Sequence, residues 1–529
     1  MKNKNEVKTE ECLLLSKTIF STTNILSVIK KYLIPEEKIL LFSCNKFLNQ
    51  YFRNSITQLP AKIIVNNPSI IKRFPNIDKI KIEFGWEVDL SFIKEIKNLE
   101  CIDIEGDGYK NIEIIGEMEN VSELILIGNK LTNIDFINNK LDKLNLLDIG
   151  NNYITDLSPL SNLKNLNSLS LQGCRISNLD ILNNPNFEKL EKLYIGQNYL
   201  SDYTFLKSLQ NLKVLNIYNS FNNLTAIDFL NYLNPEKIEE LNLGDNAILN
   251  FDVLYNFKNL KKLLLYHCYI QEINFLENEA FNNLEEIVLG NNKILDFTPL
   301  QNLTKLKKLN LYDCNIDDIE FLNNNIFFNI ENLDLGFNKI EDCSILYFFQ
   351  SLKYLSLNNN LITNLDWING CINLEDLNLS RNRINDFIIL QNLKKLKRLN
   401  IGNCLSNGGQ NKIDFLSHEN FKNLIELNIN NNFIKDASVL KHLTKLGKLN
   451  ISHNNVKSLE FLQHENSYLT ELNFSDNKIK DFSILKKLNL LEVVYYGKQK
   501  VELDENADKI NDEIIKDIEK KLRRCKSRK

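Results

Sequence analysis

Apolar residues recur along this chain with a period of about 22 residues, and each period opens with the same short alternation. The pattern is plain in residues 121–131 (VSELILIGNKL), 284–294 (LEEIVLGNNKI), 374–384 (LEDLNLSRNRI) and 469–479 (LTELNFSDNKI). Two apolar residues separated by one polar residue have the period of a β-strand, so both side chains point to the same face. The sequence therefore predicts one short strand per period, stacked in parallel on its neighbours, with a core completed by the return segments.

These segments fit L-x-x-L-x-L-x-x-N-x-L, with Ile substituting freely, and so resemble the leucine-rich repeat. About sixteen clear copies lie between Val121 and Ile479, with weaker copies before them and a degraded one near Leu491. Return segments such as ITDLSPLSNL (154–163) resemble the short SDS22-like class, which also includes the bacterial internalins. The resemblance implies an α/β solenoid. In it, a leucine-rich repeat arc has a parallel concave β-sheet, 3₁₀ or irregular turns on the convex side, and helical N- and C-terminal caps.

A longer period of about 46 residues lies within the short one. The expected strand starts between residues 190 and 352 alternate in spacing between 24 and 22 residues, and one interval of 26 residues carries an insertion at 220–223. Glu and Lys alternate at the first strand positions, as in Glu285 and Lys307. We predict that neighbouring strands pair Glu with Lys, which fixes the register of the sheet. Charge-matched recognition of a partner is the alternative interpretation.

Asn or Cys occupies the turn position that follows each strand. We predict that the Asn amide turns inward and hydrogen-bonds backbone groups of the turn, so that stacked copies form a ladder. Cys174, Cys268, Cys314 and Cys404 take the same position and are interpreted as small buried thiols, with redox or metal chemistry as the alternative. A second Asn row, which includes Asn378, lies between the two core residues of each strand. We expect its amides to hydrogen-bond to one another along the sheet.

Large side chains at concave-facing positions of the central repeats form the candidate protein-binding site, because exposed aromatic residues are the usual anchors of recognition. These residues are Tyr194, Tyr218, Leu264, Tyr266, His267, Tyr312, Phe337 and Tyr354. The alternative interpretation is that each Tyr packs over the Gly of the adjacent repeat and fills space without a ligand. The loop 405–412 (LSNGGQNK) delays the next strand and is either a further contact site or a neutral insertion.

The two ends lack the repeat. Residues 1–75 are predicted to form a helical cap, residues 76–500 the repeat array, and residues 501–529 a C-terminal helix with a basic tail. Residues 25–47 (ILSVIKKYLIPEEKILLFSCNKF) resemble part of an F-box, although the Leu-Pro that opens that motif is absent. The resemblance implies that this segment docks a Skp1-type adaptor; without that role it is only a cap over the first repeats. The implied adaptor-binding residues are Ile25, Ile29, Leu33, Pro35, Leu41, Cys44 and Phe47.

Composition narrows the class of function. The 529 residues include 64 Lys and Arg against 68 Asp and Glu, a net charge of −4, which argues against nucleic-acid binding. The sequence has no apolar run of transmembrane length, no apolar stretch of secretory length near residue 1, and only scattered Cys. We therefore expect a cytoplasmic or nuclear protein that is not bound to a membrane. The five His form no metal motif and no phosphate-binding loop is present, so we expect neither an enzyme nor a cofactor.

These observations predict a monomeric, non-catalytic scaffold that recognises a protein partner on its concave face. The F-box resemblance makes it a substrate adaptor of a ubiquitin ligase. The repeat class alone makes it an SDS22-like regulatory subunit that binds a Ser/Thr phosphatase or another partner. An internalin-like or effector-type pathogen protein is the third hypothesis.

Overall fold

The computed structural model describes residues 58–60, 77–83, 88–405, 413–463, 468–488, 491, 493–496 and 499–502. The chain forms two compact units, divided in the sequence between Leu254 and Tyr255. Each unit is a solenoid of the leucine-rich repeat type, in which short strands alternate with 3₁₀ turns. The predicted solenoid of parallel strands and 3₁₀ turns is therefore confirmed, whereas the predicted helical caps are not shown.

The strands of the first unit follow in chain order, and each pairs in parallel with the next. They are β1 (Gln58–Pro60), β2 (Lys79–Glu83), β3 (Cys101–Glu105), β4 (Glu123–Ile125), β5 (Leu146–Asp148), β6 (Ser168–Ser170), β7 (Lys192–Tyr194), β8 (Val214–Asn216) and β9 (Glu240–Asn242).

The second unit repeats this arrangement, with parallel pairing from β10 to β20 and an antiparallel final pair, β20 with β21. Its strands are β10 (Lys262–Leu264), β11 (Glu286–Val288), β12 (Lys308–Asn310), β13 (Asn332–Asp334), β14 (Tyr354–Ser356), β15 (Asp376–Asn378), β16 (Arg398–Asn400), β17 (Glu426–Asn428), β18 (Lys448–Asn450), β19 (Glu471–Asn473), β20 (Val493–Tyr496) and β21 (Gln499–Glu502).

The return segments are short 3₁₀ helices, and the described residues contain no α-helix. The 3₁₀ helices are Leu90–Glu95, Ile112–Glu117, Ser158–Asn162, Asp180–Asn183, Pro185–Phe187, Thr204–Ser208, Asp228–Tyr232, Asp252–Asn256, Asn274–Glu277, Glu279–Phe281, Thr298–Asn302, Glu320–Leu322, Asn325–Asn329, Ser344–Phe348, Asp366–Gly370, Ile388–Asn392, Asp414–Ser417, Glu419–Asn423, Ser438–His442, Glu460–Leu462 and Ser483–Lys487. A repeat of this length has no room for a longer helix, as the sequence predicts.

The core follows the period-2 alternation. In β12, Leu309 is buried while Lys308 and Asn310 lie on the other side of the sheet, which we call the open face. The buried middle residues stay in register from strand to strand, as in the pairing of Ile287 with Leu309 and Leu309 with Leu333. Each repeat adds buried residues from its return segment, such as Leu300 and Leu303, so no repeat covers its core alone.

The turn asparagines form the predicted ladder. Asn292 is buried, and its Nδ2 donates to the carbonyls of Leu265 and Leu289, both at 2.8 Å. Its Oδ1 accepts the backbone N–H groups of Cys268 (2.9 Å) and Ile270 (3.0 Å) in the preceding repeat. The same amide therefore closes its own turn and binds the repeat before it, which satisfies backbone groups that burial removes from water.

The second Asn row behaves differently from the prediction, which was wrong about the partners. The Oδ1 atoms do not stack on neighbouring amides; each accepts the backbone N–H two residues further along its own chain. Asn400, for example, accepts from Gly402 at 3.1 Å, and Asn428 from Asn430 at 3.1 Å. The physical reason is that the chain turns as it leaves the strand and leaves this N–H without a ladder partner.

The alternating charges pair across strands as predicted. Lys307 Nζ lies 2.8 Å from Glu285, and Lys353 Nζ lies 2.7 Å from Glu331. Lys397 bridges to Glu375 at 2.6 Å in the same way. These side chains are largely exposed, so each pair contributes only about 0–1 kcal/mol and serves mainly to fix the register.

The ends correct part of the sequence prediction. Gln58–Pro60, placed in a helical cap, forms strand β1 and pairs in parallel with β2. Residues 501 and 502, placed in the C-terminal helix, belong to β21, which pairs with β20 through Val494 and Val501. Both strands supply hydrogen-bond partners to a neighbouring strand whose edge would otherwise be open. The remaining cap residues, and the loop 406–412, lie outside the described residues.

Candidate functional site

The predicted site residues divide between the two units. Tyr194, at the end of β7, and Tyr218, two residues beyond β8, are half-buried in the first unit. The other six lie in the second unit: Leu264, Tyr266, Tyr312 and Tyr354 are half-buried, whereas His267 and Phe337 are exposed.

In the first unit, Tyr218 is held by the protein itself. Its hydroxyl accepts a hydrogen bond from Gln172 Nε2 at 2.9 Å. Its ring covers Gly196, where an added Cβ would come within 2.7 Å of the Tyr218 Cδ1 atom. This geometry agrees with the alternative interpretation of the sequence, in which Tyr fills the space over the Gly of a neighbouring repeat.

In the second unit, Tyr312 and Phe337 form an aromatic pair on adjacent repeats. Their ring centroids are 4.9 Å apart with an interplanar angle of 42°. Tyr312 also lies against Gly336, where an added Cβ would come within 3.2 Å of the Tyr312 Cδ2 atom. Tyr312 is therefore partly a space-filling residue, but Phe337 remains 36% exposed beside it.

The backbone at Phe337 is unusual for a bulky side chain. Its φ is 57°, in the left-handed region that Asn, Asp and Gly tolerate best. The equivalent positions of other repeats hold Asn291 (φ 58°) and Asp313 (φ 51°), the residue types that suit this turn. His267 (φ 52°) departs from them in the same way. The fold thus keeps large side chains on the open face where a small polar residue would be less strained.

Charge surrounds this aromatic pair. Burial raises the pKa of the Tyr312 hydroxyl, and the carboxylates of Asp313 and Asp334 raise it further. The positive charge of Arg381 acts in the opposite direction on the same pKa, so its guanidinium lies near enough to Tyr312 to share its electrostatic environment. Arg381 was not among the predicted residues. Its signal in the sequence is a basic residue at a position where other repeats have Asn or Asp.

A second exposed group, in the first unit, was also missed. Arg175 lies over the ring of Tyr153, with 5.2 Å between Cζ and the ring centroid. Tyr199 and Phe221 follow on the next repeats with centroids 4.9 Å apart. All four residues come directly after the turn position, which holds Asn or Cys in three repeats and Ser220 before Phe221, so a row of large residues there was the available signal.

The described residues contain no cluster of metal-binding side chains. No group of three or more His, Cys, Asp or Glu among them is placed to hold a metal ion. The seven described cysteines are buried and unpaired with one another: Cys101, Cys174, Cys268, Cys314, Cys343, Cys371 and Cys404. Cys314 Sγ donates to the carbonyl of Leu289 at 3.3 Å, as a small hydrogen-bonding substitute for Asn. In the same described part, no helix is long and apolar enough to cross a membrane.

We predict that these thiols resist alkylation in the folded protein. Burial raises the pKa of Cys174 and Cys314 to about 11 and that of Cys404 to about 12. At pH 8 a pKa of about 11 leaves roughly 0.1% of the thiol as the reactive thiolate. Iodoacetamide treatment at pH 8 followed by peptide mass spectrometry should modify these three only after denaturation. Equal modification of the native protein would contradict the burial.

Comparison with known protein families identifies the repeats of this chain. Residues 282–324 and 422–464 match the family model described as Leucine Rich repeats (2 copies), and residues 328–384 match the one described as Leucine rich repeat. These three stretches of the chain are therefore leucine-rich repeats. No curated protein matches the chain.

Solved structures similar to this chain come from several sources. The internalin InlF of Listeria monocytogenes is 26% identical over 72% of this chain and 88% of that chain, with a TM-score of 0.32. A leucine-rich repeat protein of Leptospira interrogans is 23% identical over 76% and 96%, with a TM-score of 0.42. TLR13, in complex with ssRNA13, is 21% identical over 80% and 67%, with a TM-score of 0.53. This last likeness shows the fold alone.

The residues assigned to adaptor binding are not part of this geometry. Residues 25–47 lie outside the described residues, so Ile25, Ile29, Leu33, Pro35, Leu41, Cys44 and Phe47 stay a prediction from the sequence.

Proposed function

We propose that this protein is a non-catalytic scaffold that binds a protein partner on the open face of the second unit, with Tyr312 and Phe337 as anchors. The observation that carries the proposal is the pairing of the two rings, in which Phe337 stays exposed on a left-handed backbone. A pair that keeps one ring exposed at the cost of strain in its turn is better explained by binding than by folding. Paired aromatic rings on a surface are typical anchors of protein interfaces.

The surroundings of the pair suit a protein interface. The open face next to it carries half-buried Leu264, Tyr266 and Tyr354, which offer apolar area, and the Glu–Lys pairs at its edge, which offer polar contacts. An apolar centre with a polar rim is the usual composition of a protein-binding surface. Because the turns beneath are rigid hydrogen-bonded units, the partner meets a surface that is already formed.

Phe337→Asn separates binding from folding. We expect it to leave the stability of the fold nearly unchanged, because relief of the left-handed strain offsets the lost contact with the Tyr312 ring, and to weaken partner binding about tenfold or more. The measurements are thermal unfolding and titration of the partner captured from cell extract. Phe433→Asn is the matched control, since Phe433 has φ 58° and is 41% exposed but lies outside the pair. It should gain stability and keep full binding. If the Phe337→Asn variant binds the partner as tightly as the unaltered protein, Phe337 is not part of the binding site.

We also propose that residues 25–47 dock a Skp1-type adaptor, so that the repeats select a substrate for ubiquitination. This proposal is supported by the F-box resemblance of the sequence. The full chain should bind a purified Skp1-type protein, and Leu33→Asp should abolish that binding without changing capture of the substrate. Failure of the unaltered chain to bind would reduce this segment to a cap.

The other two hypotheses give the N-terminal segment no role in binding. An SDS22-like subunit of a Ser/Thr phosphatase, favoured by the short repeats with 3₁₀ turns, would capture the same partner after deletion of residues 1–75. Tyr266→Ala or Tyr312→Ala should weaken that capture. An internalin-like or effector-type protein would instead take its partner from a host cell. Identification of the captured protein by mass spectrometry distinguishes the three.

A further inference from the structure

A cavity of about 240 Å³ opens on the open face of the second unit, between the turns that follow β15, β16 and β17. Its lining is polar and includes the guanidinium-bearing Arg381 and several asparagines, with no carboxylate. Gly402 keeps the space open, because a Cβ at this position would overlap the side-chain amide of Asn430. Its volume lies below the range of about 300–1,000 Å³ that is usual for pockets that take a whole small molecule, and it leaves room for one side chain of a partner.

The cavity offers hydrogen-bond donors that nothing in the described chain uses. Asn400 and Asn428 accept backbone N–H groups through Oδ1, which leaves both Nδ2 groups without a partner among the described residues. The guanidinium of Arg381 likewise has no hydrogen bond or ion pair within the described part of the chain. Arg398, one strand away, shows the contrast, since its Nε donates to Asp376 at 2.6 Å. The cavity therefore presents one uncompensated positive charge beside neutral donors.

We propose that this cavity binds the carboxylate of an Asp or Glu side chain in the protein partner, with Arg381 as its ion-pair partner and the Asn400 and Asn428 amides as further donors. A planar guanidinium matches a carboxylate in two parallel hydrogen bonds. A phosphate group is commonly bound by clusters of Arg, whereas only one cation lines this cavity. This inference rests on the proposed function. It assumes that the same protein partner contacts Tyr312 and Phe337, and it places an acidic residue of that partner beside this contact.

The test uses an array of N-acetylated, C-amidated peptides of varied sequence, probed with the labelled full-length protein. Peptides that bind should carry Asp or Glu at one position, and replacing it with Gln or Asn should weaken binding about tenfold or more. The Arg381→Gln variant should bind the acidic peptides about tenfold more weakly or worse. The Arg381→Glu variant should instead prefer peptides with Lys or Arg at that position. Arg383→Gln is the matched control, because Arg383 is exposed in the same repeat and does not line the cavity.

Three results would overturn the inference. The first is that bound peptides show no acidic preference, or that none binds. The second is equal loss for Arg381→Gln and Arg383→Gln. The third is tighter binding when phosphoserine or a free C-terminal carboxylate replaces the acidic side chain. Phe337→Ala, tested on the same peptide array, separates the two proposals. If Phe337→Ala weakens peptide binding and Arg381→Gln does not, the carboxylate site is wrong and the aromatic surface stands. If neither substitution weakens binding, both proposals are wrong.

Discussion

Replacing Asn292 with Ala should destabilise the second unit by about 3 to 4 kcal/mol. The substitution removes an amide that is 3% exposed, leaves the carbonyl of Leu265 without its donor, and leaves that of Leu289 with only the weaker Cys314 thiol. It also leaves the N–H groups of Cys268 and Ile270 without their acceptor. Each buried polar group that loses its partner costs about 1–3 kcal/mol, partly offset where water enters. Urea-induced unfolding followed by circular dichroism measures the loss.

Two controls from the same turn make this result interpretable. Asn292→Cys should lose clearly less stability than Asn292→Ala, because Cys314 shows that a thiol at this position can donate to a carbonyl of the turn. Asn291→Gly should be close to neutral, since Asn291 is exposed and its φ of 58° suits Gly. If Asn292→Ala cost less than about 1 kcal/mol, the ladder would not be what binds the repeats together.

Replacing Gly370 with Ala should cost about 3 kcal/mol. Gly370 ends the 3₁₀ helix Asp366–Gly370, and a Cβ there would overlap the backbone carbonyl of Tyr347 in the preceding 3₁₀ helix. A backbone group cannot rotate away as a flexible side chain can, so the two return segments must move apart and expose buried neighbours such as Ile368. Chemical unfolding gives the loss of stability, and hydrogen exchange should place it in these two segments.

Gly447→Ala is the matched control for this substitution. A Cβ at position 447 would meet its nearest atom, the Ile425 carbonyl oxygen, at 3.5 Å, an ordinary contact. Removing the flexibility of Gly from the unfolded chain should make this variant neutral or more stable by about 0.5 kcal/mol. Similar effects of the two substitutions would mean that the close approach of the return segments does not limit packing.

The sequence predicted the repeat, its strand positions and its paired charges because these depend on spacing alone. The pairing of Glu286 with Lys308 follows directly from the alternation of strands in exact register. The inward amide of Asn292 was predictable for the same reason, since a polar residue at a fixed place among buried ones must find backbone partners. Most of the fold could therefore be predicted from the periodicity of the sequence.

What the sequence did not reveal depends on three-dimensional detail. Asn283 was one of many loop asparagines, yet its Nδ2 donates to the carbonyl of Lys258 and its Oδ1 accepts from Lys305 Nζ at 2.6 Å, a second ladder at the strand entrance. Arg381 was missed because a basic residue at a turn position does not by itself show that its guanidinium is unpaired, whereas that of Arg398 is paired with Asp376. The strain at Phe337 likewise appears only when its backbone is compared with that of other repeats.

The central claim is that the open face around Phe337 contacts a protein partner, and site-specific photo-crosslinking tests it most directly. Benzoylphenylalanine is placed at position 337, or at 348 as the control, because Phe348 is an exposed aromatic residue on a return segment. After irradiation in cells, we expect a covalent adduct with one protein from position 337 and none from position 348. An adduct that forms from position 348 and not from position 337 would contradict the claim.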